Sequence, residues 1–96
     1  MALTPEGRVK NDVKKLLAKY EAYYHMPVQS GLGAPSLDFV GCHRGKYYAI
    51  ETKAGNKQMT DRQGMTAAAM RQAGAAVFLI NEETGTGELE RWLQDH

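Results

Sequence analysis

With 96 residues, 24% of them charged and 43% hydrophobic, the chain is long enough for one hydrophobic core and too short for two, so residues 1–96 are expected to form a single domain. No apolar run approaches the length of a transmembrane helix, the start MALTPEGRVK lacks the apolar core of a signal peptide, and a lone cysteine, Cys42, excludes an intrachain disulfide. A cytoplasmic protein is expected. A net charge of +1 excludes a uniformly basic coat but not a local patch, because Arg8, Lys10, Lys14, Lys15 and Lys19 crowd the beginning while Glu82, Glu83, Glu88, Glu90 and Asp95 make the end acidic.

Thr4-Pro5-Glu6 reads as a helix start: an N-cap threonine, a proline at the first helical position, and an acid in the first turn. Val9, Val13, Leu16, Leu17 and Tyr20 then recur at helical spacing, which predicts a helix over residues 5–22 with one buried and one basic face. Glu6, one turn before Val9, falls near the edge of the buried stripe. Residues 23–28 read as a short strand and Gln29 to Pro35, with Gly31 and Gly33, as a loop.

Two strands follow, over residues 37–42 and 46–53, joined by a bend at Arg44-Gly45. Thr60-Asp61-Arg62-Gln63 has the form of a capping box opening a second helix, whose body from Gly64 to Ala73 is rich in alanine and which Gly74 is placed to end. The run Ala75 to Ile80 is continuously apolar, as in a strand covered on both faces. A loop through Thr84-Gly85-Thr86-Gly87 leads to a short closing helix over residues 88–93. The fold class is α/β: a mixed sheet flanked by helices, in the order α-β-β-β-α-β-α.

The chemistry gathers at the ends of the predicted hairpin. Alternation puts Glu51 and Lys53 on one strand face with Thr52 opposite, and a hairpin centred on residues 43–45 pairs Asp38 near Glu51. Two adjacent carboxylates repel, so their burial calls for a cation between them. Oxygen donors from Asp38 and Glu51, with a Thr52 carbonyl, suit Mg²⁺ or Mn²⁺. Water activated in such a site, oriented by Lys53, is a nucleophile for phosphodiester hydrolysis.

Asp38 followed by Glu51-Thr52-Lys53, the loop GLGAPSLD, the stretch YYAIETKAG, and TDRQ opening the next helix together resemble the VRR-Nuc family of the PD-(D/E)XK nuclease superfamily, in the stand-alone form found in phages and bacteria. The resemblance covers nearly the whole chain. It implies a restriction-endonuclease-like fold and a Mg²⁺- or Mn²⁺-dependent DNA endonuclease working in a bacterial or phage-infected cell. Asp38 and Glu51 would hold the metal, Lys53 would position water, Glu6 would complete the acidic site, and Gln63 would face it from the second helix. The family commonly places Asp directly after Pro, whereas here Ser36-Leu37 separate Pro35 from Asp38. The resemblance also implies a homodimer and branched DNA such as four-way junctions.

Under the nuclease reading Lys10, Lys14, Arg44, Lys46 and Lys57 become candidate phosphate contacts. The bland readings are a solvated strand face for Glu51 and Lys53, a dipole-stabilising acid for Glu6 and a cap for Gln63. A non-catalytic DNA-binding module and a small assembly protein are the functional alternatives. His25, Cys42 and His43 lack the paired spacing of a zinc site; Cys42 is expected as a small buried residue and His43 in the turn. Tyr47 and Tyr48 are expected to divide between sheet surface and core.

Overall fold

The computed structural model describes residues 3–28 and 35–96, so most of the predicted loop 29–35 lies outside the described residues. Three helices, α1 (Pro5–Lys19), α2 (Asp61–Gln72) and α3 (Gly87–Asp95), and four strands, β1 (Tyr23–His25), β2 (Phe39–His43), β3 (Lys46–Thr52) and β4 (Ala76–Ile80), follow in the order α-β-β-β-α-β-α. The strands form one sheet in the order β1-β2-β3-β4. The first two pairings are antiparallel and β3–β4 is parallel, the chain crossing over through α2.

The Thr4 hydroxyl accepts from the Gly7 N–H at 3.0 Å, as expected of an N-cap. The other end of α1 differs from expectation: the helix stops at Lys19, not residue 22. Ala22 N–H donates to Leu17 O and Glu21 N–H to Ala18 O, a Schellman closure with Glu21 in the left-handed position at φ 56°. Glycine usually signals such an ending, and none is present. Helix α2 closes by the same bonds, Ala75 N–H to Met70 O and Gly74 N–H to Arg71 O, with Gly74 at φ 106°.

The hairpin turns through Arg44 and Gly45, both at positive φ, which suits a two-residue connection between twisted strands. Gly41, in the middle of β2, admits no side chain: a Cβ there would run into the Tyr23 carbonyl of β1. The opposing Tyr48 instead extends across to donate its hydroxyl to that carbonyl at 3.0 Å.

Alternation divides the sheet into two unlike faces. Phe39, Tyr48, Ile50, Phe78 and Ile80 pack with Val13 and Leu17 of α1 and Leu89 and Leu93 of α3. On the other face Leu37, Val40 and Ala49 meet Ala67 of α2. The run ending in β4 is thus unequally covered: Phe78 and Ile80 are buried on the first face, and Val77 and Leu79 are half-buried on the second.

Two sequence expectations change places. Cys42 is exposed, because it lies on the part of the α2-bearing face that α2 does not cover, and His43 is 4% exposed, its Nε2 3.0 Å from Leu93 O beneath α3. His43 is the last residue of β2 rather than part of the turn. Tyr48 is fully buried and Tyr47 half exposed, as the alternation requires. Among the described residues, no helix is long and apolar enough to cross a membrane.

Candidate active site

The register Phe39↔Ile50 extends outward to bring Asp38 opposite Glu51. Asp38 N–H donates to Glu51 Oε1 at 3.3 Å. Asp38 Oδ2 accepts from the Thr52 N–H at 3.0 Å and from the Thr52 hydroxyl at 2.7 Å. Thr52 therefore orients Asp38 through its N–H and hydroxyl, a role distinct from the carbonyl ligand the sequence suggested. Glu51 is 3% exposed. Its Oε2 lies 3.7 Å from Lys53 Nζ and accepts from Gln63 Nε2 at 3.0 Å.

Gln63 serves two purposes. Its Oε1 accepts from the Thr60 N–H while its own N–H donates to the Thr60 hydroxyl, which completes the capping box. The amide nitrogen is left free to reach Glu51. The cap and the site reading of this residue are both realised, since the first turn of α2 starts directly over the end of β3.

Burial pushes the Glu51 carboxyl up to about 7, assisted by the Asp38 charge and opposed by Lys53 and the Asp38 N–H. Glu6 adds a smaller upward push. The structure gives Glu6 a close partner in Lys10, at 3.0 Å. Among the described residues no group of three or more His, Cys, Asp or Glu side chains is placed to hold a metal ion.

Lys10 belongs to the site more closely than its sequence signal as a phosphate contact implied. Desolvation acts to lower its pKa, but the Glu6 bond and the charges of Asp38, Glu6 and Glu51 outweigh it and the pKa is raised. Lys14, one turn further along α1, is exposed. Arg44 and Lys46 are exposed at the opposite end of the hairpin, and Lys57 is exposed on the β3–α2 loop.

Asn81 carries no catalytic signal in the sequence. It is 1% exposed, and its Oδ1 accepts from the N–H groups of Glu83 and Thr84 while its Nδ2 donates to Lys57 O at 3.0 Å. The Glu82 carboxylate also accepts from the Gly55 N–H at 2.7 Å. These bonds clamp the loop that follows Lys53 to the loop that follows β4. An asparagine directly after an apolar strand and before Glu-Glu-Thr-Gly is a turn signal; the clamp itself depends on a contact 24 residues away.

Compared with known proteins, the chain matches no family model and no curated protein. The functional reading therefore rests on the residues. Two adjacent carboxylates are hard donors that suit Mg²⁺ or Mn²⁺, and burial beside the Asp38 charge is what raises Glu51. Lysine and glutamine complete a site with donors for an anionic substrate beside acceptors for a cation.

Proposed function

We propose that this protein is a Mg²⁺- or Mn²⁺-dependent DNA endonuclease of the VRR-Nuc type. The observation that carries the reading is the convergence of Asp38, Glu51, Lys53 and Gln63 at one end of β3, with Glu51 buried against a second acid. A solvated strand face would leave Glu51 exposed and without a dedicated amide donor.

Asp38 and Glu51 would hold the divalent ion, which when bound lowers the pKa of water and neutralises charge. Thr52 holds Asp38 in place through two bonds, and Gln63 fixes the Glu51 carboxylate. Lys53 positions the attacking water and balances negative charge growing on the phosphate as the new P–O bond forms and the bond to the leaving oxygen breaks. Lys10, held by Glu6, adds positive charge on the α1 side. Lys14 and Lys57 extend that charge toward a phosphate backbone.

A chain of this size grips little DNA, and a second copy related by a two-fold axis would bring two sites to two strands. The substrate class proposed is branched DNA, including four-way junctions, in the cytoplasm of a bacterial or phage-infected cell. The test is a cleavage assay on linear duplex, flap, splayed-arm and four-way-junction DNA with Mg²⁺ or Mn²⁺, with Lys53→Ala as control. Metal-dependent cutting that falls in the variant supports the reading. Cutting at the wild-type rate in Lys53→Ala overturns the mechanism, and DNA binding with no cutting on any substrate leaves a non-catalytic binding module.

A further inference from the structure

The sheet face that carries Glu51 is covered by α2 over only part of its width. Beyond the helix, Tyr23, Cys42 and Tyr47 stand in one cross-strand row, since Tyr23 pairs with Cys42 and Cys42 with Tyr47. Residues directly opposite in neighbouring strands share a face. All three are exposed, Tyr23 at 68% and Tyr47 at 51%. Beside Tyr47 a cavity of about 510 Å³ opens between the β2–β3 turn and the C-terminal end of α2, lined by Lys46, Tyr47, Met70, Ala73 and Ala75.

The charge around this surface is mostly positive, with the exposed Glu21 just before β1 as an acid beside it. Between Ala22 and Ile50 the only acid is Asp38, which lies at the far end of the hairpin in its bonds to Thr52. Arg44 and Lys46 are exposed and form no ion pair with another described residue. An exposed aromatic row beside an apolar-floored cavity with a cationic rim has the chemistry of a stacking platform for single-stranded nucleic acid. A second copy of the chain seated here would bring a mostly cationic rim against its like, whereas a phosphate strand brings the opposite charge to Arg44 and Lys46.

We propose that Tyr23, Tyr47 and the adjoining cavity bind an unpaired stretch of a DNA strand, its bases stacked on the rings and its phosphates at Arg44 and Lys46. The proposal rests on the nuclease reading for its purpose. Tyr47 and Glu51 are four residues apart on one strand face, about 13 Å at about 3.3 Å per residue. That spans roughly four steps of stacked duplex at about 3.4 Å each, and fewer nucleotides of an extended single strand. The platform thus selects DNA that presents single-stranded nucleotides a few positions from the bond to be cut, as a splayed arm or an opened branch point does and a continuous duplex does not.

The experiment is an anisotropy titration of the full chain, in chelator so that nothing is cut, with a labelled oligothymidylate and with a blunt duplex. Tyr47→Ala and Tyr23→Ala should each weaken oligothymidylate binding roughly five-fold or more, with Tyr47→Phe close to wild type. Blunt-duplex affinity should change little. Oligothymidylate binding as tight in both alanine variants as in wild type overturns the platform. So does a shift in sedimentation from dimer to monomer with unchanged oligothymidylate affinity, which assigns the face to a second copy. A protein that cuts no DNA but loses oligothymidylate affinity in Tyr47→Ala keeps the platform and overturns the nuclease reading; cutting with unchanged affinity does the reverse.

Discussion

The two faces of the sheet are built to different standards. On the α1 and α3 side, Trp92 meets the rings of Tyr48, Phe78 and His43 at 5.6 to 6.0 Å, and fully buried Val13, Leu17, Leu89 and Leu93 fill the rest. On the α2 side the buried contribution of the helix is one alanine, Ala67. The first face holds the fold together, and the second, thinner in apolar contacts, has room for Glu51, Lys53 and Gln63 at one end and exposed rings at the other. Sites that must admit a substrate need space and unsatisfied charge, and neither is compatible with a tightly packed layer.

Substitutions can break that division. The largest effect is expected at Lys53→Ala, where metal-dependent cleavage should fall about 100- to 1000-fold while thermal unfolding stays near wild type. A large loss of stability with unchanged cleavage would show that the lean face is structural after all. On the packed face, Leu17→Ala should cost about 2–5 kcal/mol in urea unfolding. Its counterpart Ala67→Gly should cost only about 1 kcal/mol, mostly through helix propensity. Equal losses would erase the contrast.

The Glu51 carboxyl gives a pH test with a definite sign. Its pKa rises from 4.5 to about 7 on folding, so the metal-free folded protein holds a proton that the unfolded chain releases. Stability is therefore greatest at the acid side of that range and falls as pH rises from 4.5 to about 7. The melting temperature of metal-free protein should decline across this window, and Glu51→Gln should flatten the decline. A small effect is also expected at Gln63→Ala, which removes one capping bond and the Glu51 contact and should cost about 0.5–1.5 kcal/mol. Unfolding curves identical to wild type would show that neither bond contributes.

Local signals made much of this protein legible in sequence. Thr4 and Thr60 cap their helices because a hydroxyl three residues from a free N–H needs no tertiary help. Asp38 meets Glu51 because a two-residue turn and strict alternation fix the register of a short hairpin. The end of α1 was less legible, since Glu21 takes the conformation that glycine usually marks.

What the sequence determined by itself was the order of elements and the pairing of two acids and a lysine at one strand end, both consequences of periodicities of two and 3.6 residues. Only the tertiary structure decided that His43 is buried and Cys42 exposed, because that depends on which face α3 and α2 cover. It also decided that Gln63 reaches Glu51, that Asn81 clamps the neighbouring loop, and that Lys10 comes under the charges of Asp38 and Glu51. Each of these contacts depends on how separate helices, strands and loops pack together, a placement that no local spacing encodes.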